Sequence, residues 1–292
     1  VDYANTHNYV PVDLPDEGTL WLAPQASLWD GVQLGGVTLP ETAVQPGDEV
    51  VLTFYLQNRQ DQAANLNVLV RLVDADGVEL LRDEGWPWGS PTSEWPVDVV
   101  WPDGHTLTVP GDASPGYYAV EISLYDPENL DAGSPPFIAG HMLVESQDAT
   151  GAPMAMRESP VARFDQGVEL MRGELVEQRL DAGDTLSLQT LWRTNQPVST
   201  DQTIFVHLLN GAGELVAQVD GPPQDGFLPT SHWLPDTPVE DEINLMLPPD
   251  LPPGPYQLRM GMYDANTLQR LPVLSGPAAG DNMLLVATVQ VR

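Results

Sequence analysis

The length, charge and cysteine content of the chain limit what it can be. Its 292 residues exceed the usual size of one domain core and suit two domains. With 42 acidic residues against 11 basic ones, all of them arginine, the formal net charge is −31. Nucleic acid and anionic lipid are therefore poor partners, whereas a basic partner or divalent cations fit better. The absence of cysteine excludes disulfides, thiolate metal sites and a cysteine nucleophile.

Residues 1–27 are predicted to form an extended N-terminal arm. Such an arm acts as a tether, packs on its own domain, or adds a strand to the open sheet edge of a neighbouring copy. The candidates for assembly are the apolar and aromatic residues Tyr3, Tyr9, Val10, Val12 and Trp21. The start at Val1 without an initiator methionine indicates processing, a cloned segment or a piece of a larger protein.

The rest of the chain is predicted to be a tandem duplication. An offset of 136 aligns residues 45–48 with 181–184 and residues 70–72 with 206–208. After a two-residue insertion, an offset of 138 aligns residues 91–95 with 229–233. Matches in this order predict one copy at residues 28–145, a linker at 146–160 and a second copy at 161–292.

Both copies show the period-two alternation of strands with one buried face, and they show it in the same phase. The predicted inward residues are Tyr118, Val120, Ile122 and Leu124 in the first copy and Tyr256, Leu258, Met260 and Met262 in the second. Both copies also carry Asp-x-x-Pro-Gly-x-Tyr, at residues 112–118 and 250–256, which resembles the tyrosine corner of immunoglobulin-like sandwiches. The predicted fold is all-β, with two tandem immunoglobulin-like antiparallel sandwiches.

Longer strings at residues 205–209, 220–223, 229–233, 247–256 and 262–264 resemble the extracytoplasmic sandwich domains that follow membrane glycosyltransferases in Chloroflexus-like bacteria. The resemblance covers most of residues 160–292 and, more faintly, 28–145. It implies an exported, surface-associated protein. The catalytic machinery of that family lies in its membrane part, so the resemblance transfers no catalytic residue to this chain.

The residue patterns of common enzymes are missing from the sequence. It contains no Gly-x-Ser-x-Gly, no His-Glu-x-x-His and no phosphate-binding glycine loop. Its five histidines are scattered and are interpreted as structural. We therefore predict a non-catalytic protein, an unmarked carboxylate pair being the remaining route to an enzyme.

Acidic loops are the candidates for a metal site. Calcium prefers hard oxygen ligands, and the loops offer Asp74 and Asp76, and Asp126, Glu128 and Asp131. Neither set completes a known calcium-loop pattern. The alternative is that these carboxylates stabilise turns.

Tryptophan is distributed unequally between the copies. Trp95 and Trp233 occupy equivalent positions and are predicted to be core residues, whereas Trp86, Trp88 and Trp101 occur in the first copy alone. An exposed tryptophan beside carboxylates can stack on a sugar ring, which makes these three the glycan-binding candidates. The alternative is that they cover a domain edge or the contact with the second copy.

The resulting functional hypothesis is a non-catalytic structural or interaction module at the cell surface. One alternative is a carbohydrate-binding module that uses the Trp-rich loop, and another is a self-assembling surface filament or layer subunit that uses the arm. The expected partners are a cell-surface glycan or protein, or copies of the chain itself. No stretch is apolar enough to span a membrane. A localised function is expected where the copies differ.

Overall fold

A computed structural model describes residues 19–145, 159–278 and 280–292. The chain divides into two compact units, residues 1–149 and 150–292. In the described ranges the regular elements are β-strands and short 3-10 turns, and no α-helix occurs. None of the helical turns in those ranges is long and apolar enough to cross a membrane.

The first unit contains two antiparallel sheets. Its strands are β1 (Leu20–Trp29), β2 (Val32–Thr38), β3 (Glu49–Asn58), β4 (Asn67–Val73), β5 (Glu79–Gly85), β6 (Val100–Thr108), β7 (Gly116–Asp126), β8 (Asn129–Gly133) and β9 (Phe137–Val144). One sheet has the order β1-β2-β3-β6. The other has the order β5-β4-β7, with β8 and β9 both paired to the far side of β7. Residues 20–27, assigned to the arm from sequence, thus lie in β1, which pairs with β2.

The second unit also contains two sheets. Its strands are β10 (Ala162–Phe164), β11 (Val168–Leu175), β12 (Arg179–Leu180), β13 (Thr185–Thr194), β14 (Gln202–Leu209), β15 (Leu215–Gly221), β16 (Val239–Met246), β17 (Gly254–Asp264), β18 (Val273–Ser275) and β19 (Leu284–Val291). The sheet orders are β16-β13-β11-β10-β18 and β12-β19-β17-β14-β15. The short pairing of β12 with β19 is parallel, and the other strand pairs of this unit are antiparallel.

The two units share one strand order. The set β2-β3-β6 corresponds to β11-β13-β16, and β5-β4-β7-β9 corresponds to β15-β14-β17-β19. These are the A-B-E and C′-C-F-G orders of an immunoglobulin-like sandwich. The predicted all-β fold with antiparallel sheets is confirmed, while its origin in a duplication stays a prediction.

The core of each unit lies between its sheets. The eight side chains predicted to point inward from β7 and β17 are all buried, as the alternation of a half-buried strand requires. Ala119, which the same alternation places on the outward face, is nevertheless only 2% exposed. It lies on the central strand β7 between Val73 and His141, where larger neighbours shield a methyl group.

A tyrosine corner closes both units in the same way. The Tyr118 hydroxyl donates to the Ser114 carbonyl oxygen at 2.9 Å, and the Tyr256 hydroxyl donates to the Pro252 carbonyl oxygen at 2.8 Å. The resemblance noted in the sequence at these two turns is therefore present as geometry.

The shared Pro-Thr-Ser-x-Trp segments fasten a loop in each unit. The Thr92 hydroxyl donates to a backbone carbonyl at 2.8 Å and accepts from a backbone N–H at 3.0 Å before β4. Thr230 makes the same two bonds before β14, at 3.2 and 2.9 Å. Trp95 and Trp233, predicted as core residues, are both buried.

Candidate functional site

The three tryptophans considered for sugar stacking do not form one exposed cluster. The ring centroids of Trp88 and Trp101 lie 4.2 Å apart, and Trp101 lies 6.1 Å from the buried ring of Trp95. Trp88 and Trp101 both pack against the core of the first unit. Trp86 precedes the buried Pro87 and is also only partly exposed. This arrangement favours the interpretation that Trp88 and Trp101 cover an edge of the domain.

The backbone of Trp88 belongs to a conformation that both units use. Trp88 has a positive φ of 54°, and its N–H donates to Asp103 Oδ1 at 2.6 Å. Gln224 holds the corresponding place in the second unit, with φ of 50° and an N–H that donates to Asp241 Oδ1 at 3.0 Å. A left-handed residue held by a carboxylate is thus a feature of the scaffold.

Trp101, which is partly buried, packs beside Trp95 in space that a residue of another strand fills in the second unit. Leu56 on β3 pairs with Trp101 on β6, whereas the equivalent pair in the second unit is Trp192 on β13 with Val239 on β16. One indole is therefore present in each pair, but on opposite strands. Since Trp192 lies 6.5 Å from Trp233, much as Trp101 lies near Trp95, the two indoles fill similar space.

A buried histidine joins the two sheets of the first unit. His105 on β6 has no exposed side-chain surface, and its Nε2 lies 3.0 Å from Asp103 Oδ2. Its Nδ1 lies 2.8 Å from Oδ2 of Asp83, which is on β5 of the opposite sheet. We call Asp83, His105 and Asp103 the histidine clasp. It links the edge strands of the two sheets through charge-assisted hydrogen bonds.

The clasp holds its imidazole protonated. Burial lowers the pKa of His105, but the charge of Asp103 and the hydrogen bonds to Asp103 and Asp83 outweigh it and raise the pKa to about 9. At neutral pH both ring nitrogens therefore donate, and neither is free to accept a proton. The ring has no exposed surface, so both of its nitrogens are enclosed with the two carboxylates.

The acidic residues considered for calcium are engaged in turns where the structure gives their contacts. Asp74 Oδ1 accepts from the N–H groups of Asp76 and Val78, at 3.0 and 2.8 Å. Asp126 Oδ1 accepts from the N–H of Glu128 at 2.9 Å, and Asp131 lies on β8. Within the described parts of the chain, no three His, Asp or Glu side chains converge on a metal-sized site. Calcium binding stays a prediction.

Of the assembly candidates, Trp21 is described, whereas Tyr3, Tyr9, Val10 and Val12 lie outside the described residues. Trp21 is 49% exposed and packs on its own sheet, with its ring centroid 5.2 Å from that of Tyr55. Trp21 also pairs with Gly36 on β2. Its position favours packing within the chain.

A polar group continues this face along the sheet. The Arg59 guanidinium donates to Gln33 Oε1 at 2.9 Å, to Gln25 Oε1 at 3.1 Å and to Asp98 Oδ1 at 3.0 Å. Gln33 pairs with Gln57, which lies on the same face of β3 as Tyr55. We call Trp21, Gln25, Gln33, Gln57 and Arg59 the Trp21 strip.

The second unit carries a different arrangement at the same register positions. Glu169 and Arg193 replace Gln33 and Gln57. The Glu169 carboxylate is 3% exposed and accepts from Arg193 at 2.6 Å and from Arg163 at 2.9 Å. The second unit thus fills this position with ion pairs, whereas the first unit has neutral amides there, of which Gln33 is partly exposed and Gln57 is 7% exposed.

The second unit has a small apolar hollow of about 70 Å³. Its lining residues are Val161, Leu170, Gly173, Pro277, Leu284, Leu285 and Val286. The hollow is smaller than the pockets that bind drug-sized ligands, so it does not define a ligand site.

Comparisons with known proteins give no family. No protein-family model matches the chain, and no curated protein matches it. The alignments also provide no link to the glycosyltransferase-associated domains that the sequence strings resemble, and that resemblance stays a prediction.

Several solved structures align with the chain at low similarity. Trypsin-activated alpha-2-macroglobulin from Escherichia coli is 12% identical with a TM-score of 0.24, over 81% of this chain and 15% of that one. The CARDB domain of a Pyrococcus furiosus protein, in complex with di-metal ions, is 11% identical with a TM-score of 0.25, over 46% of this chain and 96% of the domain. A candidate membrane-anchored protein of Corynebacterium diphtheriae is 11% identical with a TM-score of 0.24, over 86% and 58%. The fold assignment therefore rests on strand order and register alone.

Sequence reasoning missed the histidine clasp and the polar part of the Trp21 strip. The spacing Asp103-x-His105 does place two titratable groups on one face of a strand, and that signal was available. Asp83 comes from the other sheet, and Gln25 and Arg59 come from segments with no shared motif. Only the packing of the strands brings those side chains together.

Proposed function

We propose that the chain is a non-catalytic interaction module that acts outside the cytoplasm. The observation that carries the proposal is the histidine clasp, since the strongest acid–base constellation of the described residues is sealed between two sheets. A catalytic histidine must reach its substrate within hydrogen-bond distance. Both ring nitrogens of His105 are instead hydrogen-bonded to Asp83 and Asp103, which link the two sheets.

The exposed surface supports an interaction role. The tyrosine corners and the hydrogen bonds of Thr92 and Thr230 occur in both units, and we attribute them to folding. The outer face of β1-β2-β3-β6 differs from its counterpart in the second unit, because Gln33 and Gln57 stand where Glu169 and Arg193 form ion pairs. Arg59 engages the Oε1 atoms of Gln25 and Gln33 on this face, so the Nε2 groups of these two amides are the donors offered to a partner.

The proposed location agrees with the composition of the chain. A net charge of −31 disfavours polyanions such as nucleic acid and keeps an exposed surface soluble. Because the chain has no cysteine, its stability is the same in oxidising and reducing compartments. Export to the cell surface is therefore compatible with every feature on which folding depends.

The location is tested by protease shaving of intact cells of the source organism, followed by detection with an antibody against the chain. We expect the antigen to disappear from intact cells while a cytoplasmic marker survives. Antigen that is protected until lysis and then fractionates with the cytoplasmic marker would contradict the proposal.

The non-catalytic assignment is tested with chromogenic ester, glycoside and phosphate substrates. We expect no turnover by the full chain above that of a buffer blank. Turnover that is lost in Asp83→Asn and His105→Asn variants, with circular dichroism showing both still folded, would show that the clasp is catalytic.

A further inference from the structure

The aromatic surface of the Trp21 strip is the indole of Trp21, which packs over the backbone of Gly36. A Cβ on Gly36 would lie 2.9 Å from Trp21 Cε3 and 3.0 Å from the Leu20 carbonyl oxygen. Glycine at position 36 therefore allows the Trp21 indole to pack flat against β2. Trp21 is 49% exposed, whereas the other tryptophans in the described ranges are partly or fully buried.

Arg59 orients the neighbouring amides. A guanidinium only donates hydrogen bonds, so Gln25 and Gln33 must turn their Oε1 atoms towards it. Their Nε2 groups then remain as donors. Hydroxyl groups lie at the opposite end of the strip. The Oγ1 atoms of Thr19 and Thr38 are 2.9 Å apart, and Thr19 Oγ1 is 3.4 Å from the Tyr55 hydroxyl oxygen.

The strip is electrically neutral. The charge of Arg59 is balanced by Asp98 at 3.0 Å, and the remaining members are amides and an indole. From the buried Tyr55, on which Trp21 packs, to the exposed Arg59 just after β3, the chain advances four residues, which is about 14 Å at about 3.4 Å per residue. This is long enough for a short oligosaccharide lying along the strand.

We infer that the Trp21 strip binds a neutral oligosaccharide, with one sugar ring stacked on the exposed face of Trp21. The apolar C–H face of a pyranose fits an indole, and its ring hydroxyls match the amide donors and the exposed carboxylate of Asp98. An anionic glycan is disfavoured by the net charge of the chain. This inference rests on the proposed interaction function and names the class of partner.

The second unit supplies a natural contrast. There β10 begins only at Ala162, Leu191 replaces Tyr55, and Glu169 is paired with Arg193. By the same offset of 136, the sequence has Arg157 at the position that corresponds to Trp21, and this residue lies outside the described ranges. Exchanging Gln33 and Gln57 for the residues of the second unit should therefore convert the strip to a closed ion pair.

The test uses the full chain and isothermal titration with cellohexaose, maltohexaose, mannohexaose, xylohexaose and chitohexaose, with an oligogalacturonate as the anionic comparison. We expect at least one neutral hexasaccharide to bind. Trp21→Ala and the double variant Gln33→Glu with Gln57→Arg should each weaken that binding by about tenfold or more, since a lost aromatic stack is worth on the order of 1 kcal/mol before its hydrogen bonds are counted.

Two further variants locate the effect. Gly36→Ala keeps the indole but displaces it, and should weaken binding while the fold is retained. Trp86→Ala, the matched control in the same unit, should leave binding unchanged.

Failure to bind any neutral probe, binding of the oligogalacturonate alone, or binding lost in Trp86→Ala but kept in Trp21→Ala would each overturn the inference. Protease shaving reports separately on the location, so a chain found at the cell surface that binds no glycan would sink this inference and leave the proposed function standing.

Discussion

The two units solve the same folding problem with different residues. They share strand order, tyrosine corners and the hydrogen bonds of Thr92 and Thr230. Yet the indole that lies near Trp95 or Trp233 comes from different strands, as the partly buried Trp101 in one unit and the buried Trp192 in the other. The residue that pairs with the indole also changes strand, since it is Leu56 on β3 in the first unit and Val239 on β16 in the second. The core tolerates such exchanges when both members of a pair change together, because total volume is kept.

Charged positions show both a compensated and an uncompensated difference. By register, the clasp residues Asp83 and His105 correspond to the apolar Val219 and Ile243. A charged pair in the first unit is thus replaced by an apolar pair in the second. We call this difference compensated because both members of the pair change together. On the outer face, by contrast, the uncharged Gln33 and Gln57 stand at the register positions where Glu169 and Arg193 form an ion pair in the second unit. Compensated changes preserve the fold, and the uncompensated one marks the surface where we place the function.

The largest expected effect concerns the exchanged indole. Trp192→Ala should lower the free energy of unfolding of the second unit by about 3–5 kcal/mol, because it removes a fully buried indole. Trp192→Leu combined with Val239→Trp should be more stable than Trp192→Leu alone. Hydrogen exchange of second-unit peptides in the full chain, measured across urea concentrations, gives both values. Purely additive single and double variants would show that the two arrangements are not interchangeable.

The clasp should respond in the same compensated way. His105→Ile alone leaves two carboxylates without their partner, and should cost the first unit about 3–5 kcal/mol. Adding Asp83→Val, which completes the pair found in the second unit, should restore part of that loss. Hydrogen exchange of first-unit peptides measures the change, and second-unit peptides are the control. A double variant less stable than His105→Ile would refute the equivalence.

The clasp also gives the first unit a pH dependence that the second unit lacks. The pKa of His105 is about 9 in the folded chain against an ordinary value of 6.5. The stabilisation is therefore complete below pH 6.5 and is lost as pH rises through about 9, a change of roughly 3 kcal/mol. Burial lowers the pKa of His207 and of His232, so these groups titrate below that window.

Nitrogen-15 spectra of histidine-labelled chain report this directly. One imidazole should stay doubly protonated at pH 8, and its signal should be absent in His105→Asn. A chain in which every imidazole is neutral by pH 7 would contradict the raised pKa.

The smallest expected effect is the one the units share. Tyr118→Phe and Tyr256→Phe each remove one hydrogen bond to a backbone carbonyl, and each should cost its own unit about 1 kcal/mol. Unit-resolved hydrogen exchange should give similar values for the two. A loss confined to one unit would mean that the two corners are not equivalent.

Features that repeat along the chain could be predicted from its sequence. The inward rows of β7 and β17, the buried Trp95 and Trp233, and the tyrosine corners all follow from local patterns that occur twice. Features made by contacts between distant strands could not. Asp83 contacts His105 from the other sheet, and no local sequence pattern around either residue predicts this contact.

The extent of β1 was missed for a different reason. Ala23-Pro24 interrupts the alternation between Trp21 and Gln25, and a proline argues against a central strand. β1 is an edge strand with a register shift between Trp21 and Ala26, where a proline is tolerated. Trp21 therefore belongs to a sheet and not to a free arm. Its role in assembly stays a prediction, and we place it in the candidate recognition surface.

The most direct measurement follows the side-chain N–H signals of the full chain during titration with the neutral hexasaccharide that binds. The predicted result is a shift of the Trp21 indole and of the Gln25 and Gln33 amides, with the buried Trp192 and Trp233 indoles unchanged. Shifts centred on Trp86, or on the second unit, with Trp21 unmoved, would contradict the placement of recognition on the face where the two units differ.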